Sequence, residues 1–143
     1  DHDLYYDAHG KPHLQDGKYI SITHSHNFTG IIVSNQIKVG IDIEKQRDKI
    51  ARIAHKFTDL EHDRSSQDPE LVRKLTVLWG AKESIYKILS TPGIGFYQHI
   101  DIKEFDLSIG NTIGKAKFQG QQSHYDISFM EFEGFTCVYA LRT

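Results

Sequence analysis

Alternating hydrophobic and polar positions predict the clearest strand of the chain at residues 37–44, which read IKVGIDIE. Side chains on a strand point alternately to its two faces. The four aliphatic residues, from Ile37 to Ile43, therefore share one face. Asp42 and Glu44 project together from the other face, which makes them a candidate pair of ligands or acid–base groups.

A long helix is predicted from Pro69 to about Leu89. Asp68 is a suitable N-cap, and proline is favoured at the first helical position. At 100° per residue, one apolar stripe runs along this helix. Lys82 falls in the middle of the stripe and must reach solvent, pair with a carboxylate or line a site. The residues of the stripe are Leu71, Leu75, Leu78, Ile85 and Leu89.

The rest of the pattern is typical of short strands and turns. Residues 1–18 are polar and turn-rich, and they predict an extended lead-in. Strands are expected at 19–23 and 28–34, and further strands from 96 to 142. A short helix is expected at 49–56, and a second one at 59–64 with Thr58 as its cap. The chain is thus predicted to be a single α+β domain, residues 1–143, with an antiparallel sheet packed on one long helix plus short helices.

Composition narrows the class of protein. Hydrophobic residues make up 38% of the chain, charged residues 25%, and the formal charge is −2. This balance favours a globular domain and gives no electrostatic reason to expect nucleic acid or a membrane as partner. The one cysteine, Cys137, lies in an apolar run and is interpreted as a buried hydrophobic residue. Without disulfides or a signal-like start, the expected location is cytoplasmic.

The candidate chemistry combines carboxylates with lysines. Asp42 and Glu44 would supply oxygen ligands, as would Glu83 if the helix lies beside the strand. That set of ligands suits Mg²⁺. Lys82 and Lys87 on the same helix would suit phosphate oxygens. A cation and lysines around a phosphate are the groups that stabilise charge in a phosphoryl-type transfer.

Simpler interpretations of the same residues stay open at this point. The two strand carboxylates would also suit a solvated sheet face, and Glu83 with Lys87 has the spacing of an ordinary surface helix pair. A surface pair does not explain Lys82 in the apolar stripe. His24 and His26 lie two residues apart and suggest zinc, but no further ligands stand at standard spacing.

Four blocks in order resemble the phosphopantetheinyl transferases. They are Gly10-Lys11-Pro12, Ile22-Thr23-His24-Ser25, Gly40-Ile41-Asp42-Ile43-Glu44, and the helical block from Trp79 to Lys87 that reads WGAKESIYK. The third and fourth resemble the family's signature, and ordered blocks are more specific than any single motif. The resemblance is to the longer type, which activates peptide synthetases, and specifically to its C-terminal half.

The resemblance implies a reaction and roles for residues. A carrier-protein serine would attack the β-phosphate of coenzyme A, so that the phosphopantetheine group moves to an acyl or peptidyl carrier protein and adenosine bisphosphate leaves. Glu83, or a water held by the metal, would take the serine proton, and Lys87 would assist the leaving group. Mg²⁺ would be bound by Asp42, Glu44 and Glu83. Coenzyme A would be contacted by Lys11, Thr23, His24, Lys82 and Lys87.

The longer type contains two similar halves with the active site between them. The resemblance therefore implies that this chain lacks an N-terminal half, or that a second copy or a partner completes its site. Two rival functions follow from the same residues. One is a non-catalytic module that binds coenzyme A or a carrier protein, and the other is a different Mg²⁺-dependent phosphoesterase that uses water as its nucleophile.

Overall fold

A computed structural model describes residues 3–143 as an α+β fold, so the first two residues of the predicted domain lie outside the description. The helices are α1 (Ile50–Ile53), followed by a 3-10 turn (Ala54–Lys56), α2 (Pro69–Leu89) and α3 (Phe96–His99). The strands are β1 (Leu4–Tyr6), β2 (Pro12–Leu14), β3 (Tyr19–Ser25), β4 (Phe28–Ser34), β5 (Val39–Lys45), β6 (Ile100–Ile102), β7 (Asn111–Phe118), β8 (Gln121–Phe132) and β9 (Phe135–Arg142).

The strands form three antiparallel sheets rather than one. β1 pairs with β2, β3 pairs with β4, and the main sheet has the order β5-β9-β8-β7-β6. Each sheet is antiparallel throughout, as the sequence predicted. The division arises because β3 contacts β5 through side-chain hydroxyls rather than a continuous backbone ladder.

The bounds of α2 agree with the sequence prediction. The Asp68 carboxylate accepts a hydrogen bond from the Glu70 amide, and Pro69 occupies the first turn, where no amide hydrogen is needed. Ser90 ends the helix in the left-handed conformation. None of the helices within residues 3–143 is long and apolar enough to cross a membrane.

Three sequence predictions were wrong in detail. Residues 96–99, predicted as part of a strand region, form the short helix α3. The strand predicted from Ile37 begins at Val39, and Ile37 is exposed. The helix predicted at 59–64 does not form. Its intended cap, Thr58, instead accepts a hydrogen bond from the Leu60 amide, and both ring nitrogens of His62 lie 2.7 Å from backbone carbonyl oxygens. Local turns therefore satisfy the backbone there in place of a helical ladder.

The main core lies between α2 and one face of the five-stranded sheet. Leu75, Leu78 and Ile85 of the apolar stripe of α2 are buried in this core. Leu71 and Leu89, at the ends of the stripe, are half-buried and pack against it. A second, smaller cluster covers the opposite face of β5 and β9. It contains Ile41, Ile43, Phe135 and Cys137 and is closed by residues of β4. β5 is consequently buried on both faces, and this encloses Asp42.

Two glycines allow α2 to lie directly on β5 and β9. A Cβ atom added at Gly40 would collide with the Ser84 carbonyl oxygen of the helix backbone. A Cβ at Gly80 would lie 2.6 Å from a methyl carbon of Val138 on β9. The Ser84 hydroxyl stands at the same contact, 2.7 Å from the Gly80 carbonyl oxygen and 3.1 Å from that of Val138.

We expect Gly40→Ala to destabilise the protein by about 3 kcal/mol, because the new methyl group meets helix backbone that cannot move independently. Urea unfolding followed by circular dichroism measures the change. Gly95→Ala is the matched control, since its added methyl group collides only with the end of the flexible Gln98 side chain and otherwise makes an ordinary contact with His99. The control should cost less than about 1 kcal/mol. If both variants lost the same free energy of unfolding, the helix–strand contact at Gly40 would not have the importance assigned to it.

Candidate functional site

Three carboxylates meet where α2 crosses β5. Asp42 and Glu44 point from β5 towards the helix, and Glu83 projects from the helix towards them. Asp42 is 5% exposed, whereas Glu44 and Glu83 are half-buried. Both Glu44 and Glu83 act electrostatically on Asp42. The structure thus brings together the three carboxylates that the sequence analysis predicted as metal ligands.

Asp42 is the most unusual group of the site. Its Oδ2 atom is buried and has no hydrogen-bond donor. The pKa of Asp42 is raised to about 9, first by burial, then by a hydrogen bond shared with the Glu44 carboxyl and by the negative charges of Glu44 and Glu83, while Lys87 opposes the rise. Burial also raises the pKa of Glu83, with Lys87 again opposing and Glu44 adding to the effect.

Lys87 provides the positive charge of the site. Its amine lies 3.6 Å from Asp42 Oδ1 and donates hydrogen bonds to the carbonyl oxygens of Ile41, at 2.6 Å, and Ile22, at 3.4 Å. The lysine therefore joins α2 to both β5 and β3. One amine hydrogen-bonded to two strands is held in a fixed position beside the carboxylates.

Side chains of β3 form hydrogen bonds with backbone amides along the outer edge of β5. The hydroxyl of Ser21 accepts a hydrogen bond from the Ile41 amide at 3.0 Å, and that of Thr23 accepts one from the Ile43 amide at 3.1 Å. Both side chains are buried. Thr23 was predicted to contact phosphate, and its oxygen is used here to hold β5. Ser21 was missed, although its alternation with Thr23 along β3 is visible in the sequence.

Lys11 reaches the far end of the same helix from the β1–β2 hairpin. Its amine donates to the Ile88 carbonyl oxygen at 3.1 Å. Lys11 and Lys87 both line a cavity of about 220 Å³, together with Tyr86 and residues of β3. Burial, and then the charge of Lys38, lowers the pKa of Lys11, while Asp7 opposes this. The structure thus places two of the predicted phosphate-binding lysines around one cavity.

His24 and Lys82 are placed apart from the carboxylates. His24 is exposed, and its Nδ1 lies 3.1 Å from the Thr29 hydroxyl. Lys82 is buried, and its amine donates to the carbonyl oxygens of Phe57, at 2.5 Å, and Phe96, at 2.9 Å. Burial lowers the pKa of Lys82 to about 8, partly offset by Asp101 and Asp59. The amine thus links α2 to the segments on either side of it.

A second cavity, of about 310 Å³, lies at the Glu44 end of the site. It runs from the β3–β4 turn to α1, and Trp79 forms part of its wall. Trp79 packs between Phe57 and Phe96, and these aromatic contacts join the wall of the cavity to the core. His26, in the turn, lies 3.1 Å from Arg47 through its Nε2. The site is therefore open to ligands on the Glu44 side.

No group of three or more His, Cys, Asp or Glu side chains between residues 3 and 143 is already arranged to hold a metal ion. Asp42 holds a proton instead, because its pKa is raised to about 9, and its Oδ2 atom has no hydrogen-bond donor. A divalent cation would remove both features, because carboxylate oxygens are the ligands that Mg²⁺ prefers. The chemistry of the three carboxylates, with Lys87 beside them, therefore fits such an ion.

Comparison with models of protein families shows to which family the chain belongs. The family model of the 4'-phosphopantetheinyl transferase superfamily matches residues 38–140. The chain belongs to this superfamily. The match includes β5, α2 and the rest of the main sheet, and so contains both signature blocks that the sequence analysis identified. It begins after β1–β4, so the Lys11 and Thr23–His24 blocks rest on the resemblance alone. A comparison with curated proteins found no match.

Membership of the superfamily supports phosphopantetheinyl transfer as the chemistry of the site. It confirms the family named from the sequence, and the α+β architecture with antiparallel sheets is compatible with it. The match concerns the fold and the transferase class.

We expect Asp42→Asn to stabilise the metal-free protein by about 1–3 kcal/mol at pH 8, since its amide can donate to Glu44 and carries no buried charge. Folding raises the pKa of the Asp42 carboxyl from 3.8 to about 9, so the folded protein loses stability as the pH rises between these two values. The wild type should therefore be as stable as the variant near pH 4 and become less stable than the variant as the pH approaches 9.

Thermal unfolding at several pH values, in the presence of a chelator, measures this difference. Asp126→Asn, at an exposed position of β8, is the control and should leave the pH dependence of the wild type unchanged. A wild type that stays as stable as Asp42→Asn up to pH 9 would contradict the raised pKa.

Proposed function

We propose that this protein transfers the phosphopantetheine group of coenzyme A to a serine of an acyl or peptidyl carrier protein, in a reaction that depends on Mg²⁺. The observation that carries the proposal is the buried, donor-less Oδ2 of Asp42, which faces Glu83 across the helix–strand contact. A buried carboxyl oxygen without a hydrogen-bond partner is costly, and function is a common reason for keeping one.

The metal would be held by Asp42, Glu44 and Glu83. When bound, the ion would neutralise charge on the diphosphate of coenzyme A. Asp42 is fixed by its strand, whereas Glu44 and Glu83 are half-buried and can turn towards a ligand. Binding of the ion would displace the proton that Asp42 holds at neutral pH, because metal ligands must be deprotonated.

The phosphates of coenzyme A would be contacted by Lys11, Thr23, His24, Lys82 and Lys87. Support is strongest for Lys11 and Lys87, which line the same cavity beside the carboxylates. His24 is exposed on β3 and available to a ligand, whereas Thr23 is buried and its hydroxyl already accepts from the Ile43 amide. Lys82 would have to exchange its two carbonyl partners for a phosphate. A second copy or a partner that completes this surface is part of the proposal.

The transfer itself would use Glu83 and Lys87. The serine oxygen forms a bond to the β-phosphorus of coenzyme A, and the bond between that phosphorus and the bridging oxygen breaks. Glu83 accepts the serine proton, for which its raised pKa is favourable. Lys87 stabilises the negative charge that develops on the departing adenosine bisphosphate.

The proposal predicts that an apo carrier protein gains the mass of one phosphopantetheine when incubated with this chain, coenzyme A and Mg²⁺. Intact-mass spectrometry of the carrier measures the gain. Glu83→Gln should lower the rate by at least about 100-fold, because it removes both a ligand and the proton acceptor. Glu70→Gln, an exposed position on the same helix, is the matched control and should keep wild-type activity.

Two outcomes would contradict the proposal. Consumption of coenzyme A without any gain in carrier mass would support the rival phosphoesterase. Coenzyme A that protects the protein against thermal unfolding but is never consumed, with several carriers and with an added N-terminal half, would support the binding module.

A further inference from the structure

Within residues 3–143, two buried side-chain nitrogen or oxygen atoms have no hydrogen-bond partner. One is Asp42 Oδ2, which marks the candidate active site. The other is Nε of Arg142, in a different part of the fold. Buried polar groups in folded proteins are nearly always paired, so an unpaired one points to a missing partner. The criterion that supports the first site therefore points to a second site.

Arg142 ends β9, opposite Tyr125 on β8. Its backbone amide donates to the Lys38 carbonyl oxygen, so the residue is held at the end of an inner strand of the sheet. Its side chain lines a cavity of about 220 Å³ beside the C-terminal end of α2. This cavity shares no lining residue with the one around Lys11 and Lys87.

The lining of this cavity combines one cation with polar and apolar groups. Arg142 is its only charged residue, and no carboxylate of the described chain forms an ion pair with it. Leu89, Ile94 and Phe118 form an apolar wall. Thr91 and the glutamines of the β7–β8 turn offer hydroxyl and amide groups.

The neighbouring polar groups leave the guanidinium without a partner. The Tyr125 hydroxyl lies 2.7 Å from that of Ser123, and both are buried. Burial raises the pKa of Tyr125, so this hydroxyl remains neutral and does not compensate the charge of Arg142. A guanidinium has five donors in a planar fork that matches a carboxylate or a phosphate.

We propose that this cavity, which we call the Arg142 cavity, binds a small organic anion. Its carboxylate or phosphate would accept hydrogen bonds from Arg142, and its apolar part would pack on Leu89, Ile94 and Phe118. The site is separate from the transferase reaction, and the proposal stands whether or not that function is confirmed.

The test is a titration of the uniformly ¹⁵N-labelled protein with phenyl phosphate, and separately with benzoate, followed by NMR. We expect saturable shifts for the amides of Thr91, Gly93, Ile94 and residues 119–123 with at least one probe. Arg142→Gln should weaken this binding by about tenfold or more, because a charge-assisted hydrogen bond is lost. Arg142→Lys, which keeps the charge but not the fork, should bind with intermediate affinity and guards against a folding defect.

Two further variants separate this site from its surroundings. Lys117→Gln removes an exposed cation beside the cavity, and Lys87→Gln removes the cation of the candidate active site. Both should bind the probe as the wild type does. The proposal is wrong if neither probe gives saturable shifts at these amides, if Arg142→Gln binds unchanged, or if Lys87→Gln alone abolishes binding.

Discussion

The close contact of α2 with β5 and β9 is the constraint on which the rest of the structure depends. Gly40 and Gly80 remove the side chains that would hold the helix away from the sheet. The helix backbone consequently lies on the strand, and Asp42 is enclosed between them. A Cβ atom at Gly80 would come within 3.7 Å of Asp42 Oδ2, so little space separates the carboxylate from the helix. The buried carboxyl, its raised pKa and its nearness to Glu83 all follow from this packing.

The free edge of β5 is paired by side chains and not by another strand of its sheet. A strand at the edge of a sheet leaves backbone groups unpaired. Here Ser21 and Thr23 accept from its amides, while Lys87 donates to the Ile41 carbonyl oxygen. The groups that hold β3 against β5 therefore include a residue with a proposed catalytic role. We infer that the position of Lys87 and the attachment of the β3–β4 hairpin depend on each other.

Sequence reasoning recovered the parts of the fold that depend on local signals. The start of α2 was predictable because Asp68 and Pro69 act within one turn, and the facing of Asp42 and Glu44 followed from the alternation on β5. The sheet division was not predictable, because it depends on hydroxyl contacts between β3 and β5, distant in sequence. The hydrogen-bond partners of Lys82 were not predictable either, since the Phe57 and Phe96 carbonyl groups come close to its amine only after folding.

The candidate functional site, too, could be predicted from the sequence only in part. The three carboxylates could be grouped from the resemblance, and the structure brings them together. Neither the missing donor at Asp42 nor the missing partner at Arg142 could be read from the sequence, because each is a property of packing. Such atoms become visible only when every neighbour has been placed, and they carry the two proposals made for this protein.

The most direct test of the central claim is paramagnetic NMR with Mn²⁺ as a substitute for Mg²⁺. The claim is that the Asp42, Glu44 and Glu83 carboxylates form the metal site. At substoichiometric Mn²⁺ we predict that the amides of residues 42–44 and 80–84 broaden first, and that excess Mg²⁺ reverses the effect. Broadening centred instead on Asp59 and Asp101, or spread evenly over exposed carboxylates, would contradict the account.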